Sequence, residues 1–275
     1  MQAILQYFHF NVDSWPDKFA VVAILLVLSG LSRVYSSMAS TDQQKNSAQQ
    51  LVETCDSLTI ALGLVLLLVQ PFIVQTFWVP SGSMENTLLE QDRILVSKLI
   101  YRISDPRPGD IVVFKAPPEA IRESLQPDGT DFVKRCIGAP GDVVTIQDRA
   151  LYRNGKLIAE PYTRWGDDEG LAVRFSYDMK IVDQAVYYRE YDPSGIPGKW
   201  QHNQEPVDEG DQLTVSEALP GKIPPGEFLM LGDHRNASLD GHYWGFVPRA
   251  NIVGKAFCVF WPLTRLRVLD HAPAK

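Results

Sequence analysis

The distribution of apolar and polar positions divides the chain into two unlike parts. Residues 19–31 (FAVVAILLVLSGL) and 59–79 (TIALGLVLLLVQPFIVQTFWV) are nearly free of charge, whereas everything after Pro80 alternates polar and apolar. As a helix the second run is about 31 Å long, enough to cross a hydrocarbon core of about 30 Å. The first run spans over about 19–35 if Ser32 to Tyr35 and Asp17-Lys18 lie near the interfaces. From residue 93 the period changes. RILVSKLIY, DIVVFKAP, DFVKRCIGAP and DVVTIQ are short runs rich in Val, Ile and Phe, bounded by Pro-Gly-Asp or Ala-Pro-Gly-Asp turns, and they predict strands. In LYRNGKLIAE, Asn154-Gly155 between two apolar stretches predicts a hairpin. Residues 161–221 are less regular. There GDDEG, DPSGIPGKW and VDEGDQ loops surround two possible strands, LAVRFSY and KIVDQAVYY, and the segment reads as an inserted subdomain. Strands resume at GEFLMLGD and NIVGKAFCVFWP. The expected class is mainly β: a membrane anchor over 1–79 with two transmembrane helices, a mostly antiparallel β-domain over 80–160 and 222–275, and a smaller inserted β-subdomain over 161–221.

Charge narrows the classes of function. The formal net charge is −7, and only three of the 26 cationic residues precede Pro80. An acidic β-part without a basic stripe argues against nucleic acid. No CxxC or HExxH pattern suggests a metal, and no cofactor motif is present. Cys55, Cys136 and Cys258 cannot all pair within the chain. Cys136 and Cys258 sit in apolar contexts (VKRCIG, AFCVF), which fits buried thiols or a bridge between the two.

Parity bears on topology. Cleavage at the small-residue site Ser37-Met38-Ala39 would make residues 1–39 a signal peptide, and the second span would then deliver the β-part to the cytosol. If both spans are retained, the N-terminus lies outside, residues 33–56 form a cytosolic loop, and the β-part is extracytoplasmic. Arg33 and Lys45 in that loop, against Lys18 in the tail, lean the same way.

Three polar clusters stand out from the β background: PSGSM at 80–84, DFVKRC at 131–136 and GDHRNASLDGHYWGF at 232–246. In a strand, Lys134 shares a face with Phe132 and Cys136. Such a lysine either snorkels to solvent at an edge or is buried so that its neutral amine acts as a base. Lowering its pKa from about 10.4 to about 8 corresponds to roughly 3 kcal/mol of disfavoured charge, within the reach of an apolar pocket. A neutral amine can take the proton of a serine hydroxyl as histidine does in the familiar triads. Two serines can then divide the work, one attacking and one helping to hold the oxyanion. The glycine between them would let the backbone turn closely enough for both to face one carbonyl.

Together PSGSM, RPGDIVVF (107–114), DFVKRCIGAPGD (131–142) and GDHRNASLDGHYWGFVP (232–248), in that order after a transmembrane run, resemble the bacterial type I signal peptidases (leader peptidases). These are membrane-anchored serine proteases with a Ser/Lys dyad. The resemblance covers the second span and most of the β-part. It implies Ser83 as nucleophile and Lys134 as general base. Ser81 and the backbone N–H of Ser83 would form the oxyanion hole. Ser238 would hold the amine, with Asp240 and Arg135 bracing the site. It also implies a mostly antiparallel β-fold with an inserted subdomain, and a multi-pass inner-membrane enzyme whose catalytic domain faces the periplasm. The implied partners are the lipid bilayer and secretory precursors cut after Ala-x-Ala.

Ser83 would stand four residues beyond the second span, at the level where a precursor's scissile bond leaves the bilayer. Val79, Met84, Leu88, Phe132 and Val133 are the candidate lining of shallow pockets that select small side chains. The chain departs from the family pattern at Asn86, where proline is usual. His234, Gly241 and His242 replace the usual Asn, second Ser and final Arg, so Asp240 would have to use Arg135 or a protonated His242. Competing readings fare worse. A Ser-His-Asp triad through His234 or His242 leaves Lys134 unexplained, and S-x-x-K fails because Asn86 occupies the lysine position. Self-cleaving repressors share the Ser/Lys chemistry but are soluble and DNA-binding. A catalytically inactive membrane-tethered β-domain that binds extended peptides leaves the three clusters without a joint purpose.

Overall fold

The computed structural model describes residues 15–69, 72–124, 127, 129–166, 176–192 and 194–269. Two compact units emerge, the first ending at Gln75 and the second beginning at Thr76.

In the first unit, helix α1 (Trp15–Met38) turns back through three residues into helix α2 (Asp42–Leu64), which continues as a π-helical turn over Val65–Val69. Lys18–Met38 and Asp42–Leu67 are long and apolar enough to cross a membrane. Most of the expected 33–56 loop is thus helical. A capping box starts α2 early: Thr41 accepts from the Gln44 N–H, and the Gln44 side chain reaches back to the Thr41 N–H. Asp56 of α2 accepts from Ser29 of α1 and pairs with Arg33 at 2.8 Å, so Arg33 is already matched by a carboxylate. The expected helix over 59–79 also stops short. Val74–Trp78 (VQTFW), rich in β-branched and aromatic side chains that favour an extended chain, forms strand β1. Ser83 therefore follows a strand by five residues, and not the expected helix by four.

The second unit is built on antiparallel sheets. Strands β2 (Arg93–Ser97), β3 (Ile111–Lys115) and β4 (Asp131–Gly138) come first. Next are β5 (Val144–Gln147), β6 (Ala150–Arg153), β7 (Lys156–Ile158), β8 (Tyr177–Val182), β9 (Ala185–Glu190), β10 (Gln201–His202) and β11 (Glu205–Pro206). The chain closes with β12 (Glu227–Leu231), β13 (Val247–Pro248), β14 (Ile252–Trp261) and β15 (Arg267–Val268). One sheet runs β1-β2-β14-β3-β4-β12-β13 with β15 on β14, and the other β11-β10-β9-β8-β5-β6-β7. The second sheet takes in residues 144–158, so the smaller sheet begins well before the 161 boundary expected from sequence.

Local chemistry sets the turns of the second sheet. Asn154 and Gly155, at φ 53° and 75°, make the expected hairpin, because both central residues of such a turn need positive φ. KIVDQAVYY, expected as one strand, is a hairpin: Asp183 and Gln184 take φ 47° and 65° between β8 and β9. LAVRFSY lies mostly outside the described residues. The VDEGDQ loop opens a helix, Glu209–Glu217. Cys55, Cys136 and Cys258 are free thiols; Cys136 is buried in β4 and Cys258 is half-buried in β14.

Candidate active site

Three stretches distant in sequence build the site. After β1 the chain enters a single 3₁₀ turn, Gly82–Met84, with Ser81 extended just ahead of it. Val79, Met84 and Leu88 are fully buried in one apolar cluster with Ile94, Val96, Val113 and Val259, and they pin the turn from beneath. The Leu88 N–H donates to the Met84 carbonyl at 2.7 Å. The turn brings Ser81 Oγ to 3.4 Å from Ser83 Oγ. Gly82 is not forced by geometry: a Cβ there would meet only the Glu85 and Glu90 carboxylates, at 3.7 and 3.8 Å. The close turn expected of this glycine is therefore made without any need for it.

The second stretch is β4, paired with β3 on one edge and β12 on the other, with Lys134 opposite Val112. Lys134 is buried, and its Nζ donates to Ser238 Oγ at 3.0 Å. Burial pulls the amine from its ordinary 10.5 down to about 8, against the opposing charges of Asp240 and Asp233.

The third stretch follows β12. Gly232 lets the chain pass so closely that a Cβ would stand 2.2 Å from Ser238 Oγ and 2.5 Å from the Ser83 carbonyl oxygen. The His234 N–H donates to that same carbonyl at 3.2 Å, tying the serine turn to the box that carries Ser238.

The bracing differs from the expectation in one respect. Arg135, fully buried, donates from Nε and Nη2 to the two oxygens of Asp233 at 2.8 and 2.6 Å, and from Nη1 to the Gly109 carbonyl at 2.9 Å. Thr87 donates to Asp233 as well, and the Tyr162 ring covers the guanidinium at 3.7 Å. Arg135 is thus committed to Asp233, and the partner of Asp240 is His242, with Nδ1 2.6 Å from Oδ1. Burial acts to raise the Asp240 pKa, but the His242 ring, Lys134 and the Gly232 N–H outweigh it and hold the carboxyl below the usual range.

Ser81, Ser83 and Lys134 line one cleft of about 640 Å³, walled by apolar groups that include Phe77, Ile94, Val113, Phe132, Val133 and Leu239. Of the five expected pocket residues, Phe132 and Val133 line it, whereas Val79, Met84 and Leu88 are core. Met84 and Leu88 look inward, packed with Ile94, Val96, Val113 and Val259 beneath the turn. Asn86 has φ 86°, a left-handed conformation closed to proline, and asparagine is among the side chains that tolerate it. The histidines do not form a triad with Ser83. His242 is not among the cleft residues, and His234 lines the cleft with its Nδ1 3.4 Å from Glu85, which also pairs with Arg164 at 3.2 Å. Sequence reasoning passed over Asp233, Thr87 and Tyr162. Asp233 stands inside the GDHR motif and could have been found; Thr87 and Tyr162 carry no signal of their own.

A β-domain with two serine hydroxyls and a buried amine lining one cleft fits a serine-protease class of protein. Comparison with known proteins narrows it. The family described as "Signal peptidase, peptidase S26" matches residues 51–261. "Probable signal peptidase I-2" of a Synechocystis strain is 34% identical, over 73% of this chain and 69% of that protein. "Signal peptidase I" of Leptolyngbya laminosa is 33% identical, over 78% and 83%, and that of Pseudomonas aeruginosa is 33% identical, over 83% and 80%. The chain belongs to the signal peptidase, peptidase S26 family, and is a serine endopeptidase.

Proposed function

We propose that this protein removes N-terminal signal peptides from exported precursors, with Ser83 as nucleophile and Lys134 as general base. Family membership supports the reaction. The observation that carries the residue assignment is the buried Lys134 amine, lowered to about 8 and held on Ser238 in the cleft that Ser83 lines.

The chemistry follows from the chain's own groups. Neutral Lys134 takes the Ser83 proton as Oγ attacks the carbonyl carbon. The oxyanion is held by the Ser83 N–H and the Ser81 hydroxyl. The protonated amine returns its proton to the leaving amine, and the C–N bond breaks to leave an acyl-enzyme on Ser83. The lysine, neutral again, takes a proton from water, whose attack releases the signal peptide and restores Ser83. The half-buried apolar wall of Phe132 and Val133 suits small side chains ahead of the bond, as in Ala-x-Ala. Nothing in the site favours an inactive peptide-binding domain.

Two apolar helices are candidate membrane spans. With both spans retained, the catalytic domain is extracytoplasmic, on the periplasmic face of the inner membrane, and meets precursors at the lipid surface. The proposed division is an anchor over the first unit and a catalytic domain over the second.

The test of the function is cleavage of an Ala-x-Ala precursor by the detergent-solubilised protein; inertness toward every such precursor would refute it. Because the base must be neutral, kcat/KM is expected to fall about tenfold per pH unit below about 8. A flat profile from about pH 5 to 9 would exclude a lysine base. Ser81→Ala should lower kcat by about 10²- to 10³-fold with KM little changed, the signature of a lost oxyanion donor. An unchanged kcat would remove Ser81 from the oxyanion hole.

A further inference from the structure

Behind the lysine lies a buried stack that the dyad chemistry does not use. Asp240, His242 and Tyr177 are each at most 2% exposed. Asp240 Oδ2 accepts from the Gly232 N–H at 2.7 Å, while Oδ1 accepts from the His242 N–H at 3.2 Å and lies 2.6 Å from its Nδ1. The His242 ring lies flat on Tyr177, with centroids 4.1 Å apart and an interplanar angle of 7°. The Tyr188 ring meets it edge-on at 5.4 Å. Gly241 belongs to the same arrangement. A Cβ there would stand 2.8 Å from the Met230 carbonyl oxygen and 3.0 Å from Leu229 Cδ1, so only glycine lets the short helix Gly241–Trp244 press against β12. The Gly241 and His242 departures thus form one device: the glycine allows the approach and the histidine uses it.

We infer that His242 is a positioning residue for Lys134: clamped against Tyr177 and bonded to Asp240, it orients the carboxylate that seats Gly232 and blunts its pull on the amine. The inference rests on Lys134 being the base. Two anions, Asp240 and Asp233, act to keep Lys134 charged. Arg135 neutralises Asp233, and His242 is the side chain bonded to Asp240 among the described residues. Other charges around the pair are matched elsewhere. Beside Tyr177, Arg235 pairs with Glu160 at 2.5 Å. On β9, Glu190 accepts from the Tyr243 hydroxyl at 2.9 Å. A histidine in place of the usual arginine therefore does the task with a shorter reach and a stacked ring.

The test is the pH dependence of kcat/KM for the full-length protein on an Ala-x-Ala precursor peptide. His242→Phe keeps a ring on Tyr177 and removes Nδ1. Its acid limb is expected to move up by about one pH unit, with about tenfold less activity at pH 7 and convergence with wild type near pH 10. Asp240→Asn should move the limb the other way, because one anion facing the amine is gone, and the double variant should follow Asp240→Asn alone. If His242→Phe does not fold, His242→Gln and Tyr177→Leu test the same upward shift. A limb that stays in place, or a loss of equal size at every pH, would overturn the inference. A wild-type limb that survives Lys134→Ala would instead overturn the dyad.

Discussion

Ser83→Ala and Lys134→Ala are each expected to lower signal-peptide cleavage by roughly 10⁴-fold or more, because nucleophile and base act as a unit and either loss stops acyl-enzyme formation. Ser83→Ala removes little structure, since among the described residues its side chain bonds to Ser81 alone, at 3.4 Å. Its melting temperature should stay near wild type while turnover disappears. Lys134→Met is the better partner variant, because it keeps most of the buried volume. It also reports the lysine through stability. The folded-state pKa is lowered, so between about 8 and 10.5 the unfolded chain holds a proton that the folded chain has shed. Wild-type stability therefore gains on the Met variant as pH rises through that window, by about 3 kcal/mol in all. Below pH 8 both states carry the proton, and the difference is constant. A constant difference across the whole range would mean that the amine is not desolvated. Near-normal cleavage by Lys134→Ala, with loss in His242→Ala, would mean that the base had been misassigned.

Gly232→Ala is the second large effect. The added methyl would fall 2.2 Å from Ser238 Oγ, 2.5 Å from Ser238 Cβ and 2.5 Å from the Ser83 carbonyl oxygen, and two of these three atoms are not free to move alone. Either the Ser238 box withdraws from Lys134 or the serine turn shifts on its bed of Val79, Met84 and Leu88. Displacing catalytic groups by about 1 Å costs on the order of 10²-fold, so kcat/KM should fall at least that far. Overpacking of this kind costs about 1–3 kcal/mol, which should lower the melting temperature by several degrees. Substrate binding should suffer less than turnover, since Phe132 and Val133 lie on β4 and not on the displaced loop. Wild-type kcat in this variant would show that the Lys134–Ser238 contact is not needed.

The sequence by itself determined a good deal. Charge-free runs ahead of Pro80, period-two runs after it, Asn-Gly at 154–155 and the three polar boxes were enough to set class, chemistry and dyad candidates, because these signals are local. Other features depended on which distant groups meet, and only the tertiary structure decided them. Whether Lys134 would be wet or dry could not be read from DFVKRC; its place between β3 and β12 buries it and sets its base strength. Arg135 and His242 were both candidate partners for Asp240. The fold gave Arg135 to Asp233 and His242 to Asp240, since a guanidinium on β4 faces the GD step and Gly241 brings the imidazole onto the carboxylate. Val79, Met84 and Leu88 looked like pocket lining from motif position and apolar character, yet the fold packs them into the core beneath the serine turn. Apolar character alone does not distinguish a pocket wall from the packing beneath it; the direction of the side chain does, and the surrounding strands fix that direction.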